Sequence, residues 1–151
     1  MVYDTDTGTL SRAGFEVTAE HVFARARREG EPVSIVRLDI TRWGSTTERK
    51  VVLLDLGGLL HKELRASDVI GRTDKRQLAV LLPATDEAGA ALVISHLSET
   101  LRAYNDDLLA SARFTVELRR ATYLPWEEDT EASVFLASVL DGLRGGRAIS
   151  A

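Results

Sequence analysis

The apolar positions of this chain fall into two periods. Between residues 12 and 29, Phe15, Ala19, Val22, Phe23 and Ala26 recur at helical spacing and give one apolar face. Ser11 is a candidate N-cap, and Gly30 with Glu31-Pro32 ends the helix and turns the chain. Residues 33–40 are apolar on both faces, as a central strand covered by helices is. A polar connection over 41–49 follows. Leu53, Leu56, Leu60 and Leu64 then mark a second helix over 50–65. Gly57-Gly58 weakens that helix by about 1 kcal/mol per glycine, so close packing against a neighbour is the expected compensation. Residues 69–73 read as a short strand, 74–77 as a charged turn and 77–82 as the hairpin partner, an apolar run stopped by Pro83. Thr85 is a candidate cap for a third helix, whose face carries Ala90, Val93, Ile94, Leu97, Leu101 and Tyr104. Asn105-Asp106-Asp107 ends it. Alternation through Phe114, Val116 and Leu118 gives a strand over 112–124. Ala132, Phe135, Leu136, Val139, Leu140 and Leu143 give a last helix from about Thr130, stopped by Gly145-Gly146. The order helix, strand, helix, strand, strand, helix, strand, helix predicts an α/β (α+β) sandwich, with helices flanking a mainly antiparallel sheet.

Composition narrows the setting. The 151 residues are enough for one domain, 1–151, with its own core. Hydrophobic residues make 44% and charged residues 28%, an ordinary globular balance. There is no cysteine, which removes disulfides and thiolate zinc sites and points to a reducing compartment. No apolar stretch reaches the length of a membrane span, and the first residues carry neither a basic region nor an apolar signal core. The expectation is a cytoplasmic protein with no membrane partner. A net charge of −4 argues against charge-driven nucleic-acid binding. Arg25, Arg27 and Arg28 read as a solvated helix face.

Two places carry candidate chemistry. Asp39 lies near the end of the first long strand, either as a functional carboxylate or as a cap for the next turn. The turn Asp74-Lys75-Arg76-Gln77 beside a central strand is a favourable place for a metal or phosphate, yet it has one carboxylate, two cations and no glycine. His61 reads as a surface or boundary residue, since no second histidine stands at metal-ligand spacing.

Several stretches together resemble the GGDEF domains of bacterial diguanylate cyclases. Asp4-Thr5-Asp6-Thr7-Gly8-Thr9-Leu10-Ser11-Arg12 with Phe15 is similar to the opening D-x-L-T-G-L-x-N-R-x-x-F. Residues 34–43, with Asp39 and Trp43, resemble L-x-x-D-x-D-x-F. Arg65-Ala66-Ser67-Asp68 resembles the R-x-S-D before the signature, 78–83 the signature strand, and Tyr123-Leu124-Pro125 and Gly146-Arg147 the closing segments. The resemblance implies a nucleotidyl-cyclase-like fold over most of the chain and a family activity of condensing two GTP into cyclic di-GMP.

The same resemblance places the departures. The signature Gly-Gly-Asp/Glu-Glu-Phe falls on Asp74, Lys75, Arg76, Gln77 and Leu78. The glycines that let the backbone approach GTP are replaced, and so are the acidic residues that serve the metal and the attacking hydroxyl. Asp39 is the vestigial metal carboxylate. One carboxylate beside an arginine is a poor hard-cation site, so no catalytic residue, no metal and no magnesium are expected. The base-binding Asn and Asp fall on Thr47 and Lys50 after a shortened loop, and the late triphosphate lysine falls on Leu143, with Arg147 kept. The expectation is a degenerate domain that is not an enzyme.

Arg65 and Asp68 keep the R-x-x-D pattern and its five-residue distance from the signature, which in the family marks an inhibitory site for cyclic di-GMP. Arginine can bond guanine O6 and N7 or a phosphate, and a carboxylate can accept from guanine N1 and N2. Arg72 and His96, the latter near the position of a family arginine, complete the expected ligand set. The structural alternative is that Arg65 favours a helix C-terminus and Asp68 caps a turn. Two functions follow: a cyclic di-GMP receptor acting on a regulatory protein partner, or a ligand-independent docking or homodimerisation scaffold, for which the rewritten turn, Trp43 and Trp126 are candidate contacts.

Overall fold

The computed structural model describes residues 2–127, 129–142 and 149–150. Leu143, Gly145, Gly146, Arg147 and the side chain of Thr47, all named above, lie outside the described residues. The chain runs β1 (Leu10–Ser11), α1 (Arg12–Glu29), β2 (Val33–Arg42), α2 (Thr46–Glu63), β3 (Val69–Asp74), β4 (Gln77–Pro83), α3 (Glu87–Asp106), β5 (Thr115–Tyr123), α4 (Ala132–Leu140) and β6 (Ile149–Ser150).

The strands form one sheet in the order β1-β3-β4-β2-β5-β6. β2 pairs antiparallel with both β4 and β5, so the strand that is apolar on both faces is central. Among the described residues only the β1–β3 pairing is parallel. Side-chain alternation then makes two cores. Val36, Leu38 and Ile40 of β2 pack with Leu53, Leu56 and Leu60 of α2 and Ile94, Leu97 and Leu101 of α3. Val33 and Ile35 pack on the other face with Phe15 and Phe23 of α1, Phe135 and Leu140 of α4, and Tyr123. Each core is close-packed, and Phe23 and Phe135 meet Tyr123 at centroid distances of 5.1 Å.

α1 begins and ends as its sequence predicts. The Ser11 hydroxyl accepts from the Gly14 N–H at 3.2 Å, and Gly30 takes the left-handed conformation with φ 66°. α2 starts four residues before the predicted 50, because Ser45 and Glu48 make the helix start. The Ser45 N–H and hydroxyl both bond Glu48 Oε2, at 3.0 and 2.6 Å, and the Ser111 hydroxyl bonds Oε1 at 2.9 Å. These donors, the Ser45 hydroxyl first, hold the Glu48 carboxyl below its usual range. α3 is capped by Asp86, which accepts from the Gly89 N–H, while the Thr85 hydroxyl turns back to the Pro83 carbonyl. β1 and β6 have two residues each, too few to show a period.

Gly57 and Gly58 divide the compensation expected of them. A Cβ on Gly57 would stand 2.0 Å from the Thr7 carbonyl oxygen, so the N-terminal turn packs on bare backbone there. A Cβ on Gly58 meets nothing within 4 Å. Gly57→Ala is therefore expected to destabilise by about 1–3 kcal/mol through overpacking, and Gly58→Ala to stabilise by roughly 0.5–1 kcal/mol through helix propensity. Urea unfolding of the two variants checks the opposite signs.

Candidate functional site

The register of β2 sets the geometry at one end of the sheet. Asp39 lies opposite Gln77 on β4 and Glu117 on β5, and Arg37 lies opposite Ala79 and Arg119. Residues two apart on a strand share a face, so Arg37, Asp39, Gln77, Glu117 and Arg119 all project toward α1 and α4. Arg37 is 8% exposed. Its Nε donates to Asp39 Oδ2 at 2.8 Å and its Nη1 to the Val139 carbonyl at 2.7 Å. Gln77 Nε2 donates to Asp39 Oδ1 at 3.2 Å and to the Leu140 carbonyl at 3.0 Å, and its Oε1 accepts from the Thr73 hydroxyl at 2.7 Å. From α1, Arg12 reaches the Thr73 carbonyl, Glu16 and Asp141, and hydrogen bonds to those two carboxylates raise its guanidinium above the ordinary value.

This arrangement does not fit a hard dication. Magnesium takes oxygen ligands and keeps company with excess negative charge. Here both oxygens of Asp39 already accept from nitrogen donors. The two carboxylates of the face, Asp39 and Glu117, are matched by Arg37 and Arg119, each pair on one strand. Among the described residues, no group of three or more His, Asp or Glu side chains is placed to hold a metal ion.

The neighbouring turn is solvent-facing. Asp74, Lys75 and Arg76 are exposed, and Asp74 Oδ1 accepts from the Lys75 N–H at 2.7 Å. Leu78, the next apolar position, is 1% exposed and anchors the hairpin in the core. Arg76 reaches over the ring of Trp43, with its guanidinium carbon 5.6 Å from the centroid, and Arg49 from the first turns of α2 does the same at 5.4 Å. Trp43 itself is half-buried against the α2–α3 core, whereas Trp126 is 58% exposed.

At the other end of the β3–β4 hairpin lies a separate cleft. Asp68, whose side chain is 2% exposed, accepts from the Arg65 backbone N–H at 2.9 Å and from Arg65 Nη2 at 3.0 Å. Arg65 Nη2 also donates to the Pro83 carbonyl and to Thr85 Oγ1, at 3.1 and 3.0 Å. Ala84 between those two acceptors is left-handed, with φ 50°, a conformation that costs a non-glycine residue about 1 kcal/mol or more. Arg65 is 58% exposed, and its Nη1 makes no hydrogen bond among the described residues. The cleft in front of it, about 230 Å³, is lined by Glu63, Arg65, Asp68, Leu92, Val93 and His96, with His96 Nε2 bonded to Glu63. Three of the four expected ligand residues therefore meet. Arg72 does not join them: its Nη1 bonds Asp4 and Asp6 of the N-terminal turn, and its Nη2 bonds the Lys75 carbonyl.

The family model described as "Diguanylate cyclase, GGDEF domain" matches residues 1–131. The chain belongs to the GGDEF domain family. Solved structures carry the same fold. The GGDEF domain of DgcB from Caulobacter crescentus, in complex with c-di-GMP, is 18% identical with a TM-score of 0.75, over 93% of this chain and 84% of that one. The FimX GGDEF domain from Pseudomonas aeruginosa is 15% identical with a TM-score of 0.75, over 97% of each chain. SiaD from Pseudomonas aeruginosa, a diguanylate cyclase solved with its activator SiaC, is 21% identical with a TM-score of 0.77, over 95% of this chain and 58% of that one. Among curated proteins, a search by sequence finds no match.

Within this GGDEF domain, sequence reasoning missed Arg37, the residue that organises the strand end. The signal was available. An arginine inside a strand covered on both faces is a charge without water, and it needs a partner on the same face. Asp39, two residues on, is that partner. Glu63 beside His96 was missed as well, because the two are 33 residues apart and only the fold brings them together.

The Trp43 stack yields a measurement. In a Trp126→Phe background, Arg76→Ala is expected to shift Trp43 emission. It should cost no more than about 1 kcal/mol, the size of one exposed cation–π contact. Fluorescence spectra and urea unfolding of the pair check both.

Proposed function

We propose that this GGDEF domain is catalytically silent. In this reading it acts in the cytoplasm as a regulatory module that takes up cyclic di-GMP at the Arg65 cleft and signals to a protein partner. The observation that carries the silent half is the state of Asp39. Its two oxygens are held by Arg37 and Gln77, where the chemistry of two-metal phosphoryl transfer needs open carboxylates. No degree of side-chain repacking supplies the missing acidic residues at Arg76 and Gln77.

The receptor half rests on Arg65. Asp68, Pro83 and Thr85 fix its guanidinium through Nη2 and leave Nη1 without a hydrogen bond among the described residues. A fixed arginine loses little freedom on meeting guanine O6 and N7 or a phosphate oxygen. Asp68 is covered and serves to aim Arg65, so the contact chemistry falls mainly on the arginine and on His96. A cleft of about 230 Å³ is small for a nucleotide pocket, and a dinucleotide would rest across it. DgcB, a structural neighbour, is described as bound to c-di-GMP, which supports the ligand class.

A second reading is favoured by a specific observation. Arg49 and Arg76 lie over the Trp43 ring, and Arg76 together with the exposed Arg42, Lys50 and Lys75 makes no ion pair among the described residues, on a chain of net charge −4. A surface of that kind suits an acidic protein partner without any nucleotide.

Calorimetric titration with cyclic di-GMP separates the readings. Saturable binding is expected for the native protein and at least a tenfold loss for Arg65→Ala, the scale of one charged hydrogen-bonding group. No heat from a folded protein would overturn the receptor reading in favour of the docking surface. Incubation with GTP and magnesium, followed by chromatography, is expected to give no cyclic di-GMP. Any product would overturn the silent reading.

A further inference from the structure

We propose that Arg37 is a built-in counter-ion. With Gln77 it caps the end of α4 and holds the strand end in one conformation that needs neither metal nor nucleotide. The inference concerns the ligand-free protein and stands apart from whether the Arg65 cleft binds anything.

The last carbonyls of a helix have no partner within the helix. In α4 two of them, Val139 and Leu140, receive side-chain donors from the sheet: Arg37 Nη1 and Gln77 Nε2. The same two side chains hold the two oxygens of Asp39. Each therefore acts twice, once on the carboxylate and once on the helix. A cation at a helix C-terminus is also favoured by the helix dipole. Beyond the helix, Gly142 takes φ 82°, and a Cβ there would stand 3.4 Å from Arg37 Nη1, so the turn closes over the guanidinium. Arg12 adds a tie from α1 to Asp141 and to the Thr73 carbonyl. One connected set of polar contacts thus fastens α4 to β2, β3 and β4.

The arrangement has a charge logic. A buried carboxylate needs a cation or several donors. A dication coordinated from outside can be lost; a guanidinium on the same face of the same strand cannot. Placing an acid at 77 beside Asp39 would set two carboxylates together and remove the donor to Leu140. The strand end then needs an external cation.

Thermal melts and amide exchange, with no nucleotide present, test this. Millimolar magnesium or manganese is expected to leave the native melting temperature unchanged. Arg37→Leu should lower it by about 5 °C or more and speed exchange of the amides at 141 and 142. Arg37→Leu with Gln77→Glu should regain stability on adding manganese, a response absent from the native protein. Should Arg37→Leu fail to fold, Gln77→Ala removes only the neutral donor and should still speed exchange at the end of α4. A melting temperature of the native protein that rises with magnesium overturns the proposal. So does an α4 end whose exchange is unchanged in both single variants, or a double variant indifferent to manganese.

Discussion

Residues two apart on a strand must share a face, and on β2 that constraint puts Arg37 and Asp39 side by side under α4. Everything near the signature turn follows from this adjacency. β2 is flanked by β4 and β5 and covered on both faces, which leaves the Arg37 side chain 10% and the Asp39 side chain 24% exposed. A buried ion pair is stable only when its remaining donors and acceptors are satisfied, because desolvation of each charge costs several kcal/mol. The satisfaction comes from three directions. Val139 takes the outer guanidinium nitrogen, Gln77 covers the second carboxylate oxygen, and Thr73 fixes Gln77. Removing one partner leaves an uncompensated charge, so the substitutions along this end of the sheet make sense only as a set.

That interdependence runs through the whole strand end. Here the residue at the signature position, Gln77, carries both a donor and an acceptor, and both are used. The flanking cations serve as well: the guanidinium groups of Arg76 and Arg49 lie over Trp43 and cover part of its ring. The cationic turn is thus tied to the core by a packing contact while its charges stay in water.

What the sequence made legible was what depends on local chemistry. Ser11 and Gly30 bounded α1 because capping is decided within a turn of chain. The apolar run of β2 marked it as a central strand because both faces had to be covered, and β4 was read as the hairpin partner of β3, as it is. Thr46 escaped as the start of α2, since the polar stretch before it hid a capping pair, Ser45 and Glu48, that only a three-residue offset reveals. β1 and β6 were invisible because two residues have no period. Of the cleft, Arg65 and Asp68 are neighbours in sequence and were read together, and His96 joined them through family likeness. Arg72 was misplaced by sequence proximity: in β3 its guanidinium is committed to Asp4 and Asp6, 68 and 66 residues away, and to the nearby Lys75 carbonyl.

The β3–β4 hairpin joins the two sites and keeps them apart. Arg65 grips its base through the Pro83 carbonyl, and Gln77 grips its tip through Asp39 and α4. The two grips stand at the ends of the seven-residue β4, about 20 Å of extended chain, and residues 78–82 between them lock their side chains in the two cores. A strand so packed transmits position but not charge. The geometry of the base therefore rests on its own contacts, with Arg65 held by Asp68, Pro83 and Thr85. Stability of the hairpin, in turn, depends on both grips, because each satisfies backbone or side-chain groups at a strand end that water reaches only partly. Each end of the hairpin is thus ordered by its own set of contacts. The price is paid in local strain, at Ala84, rather than in the core.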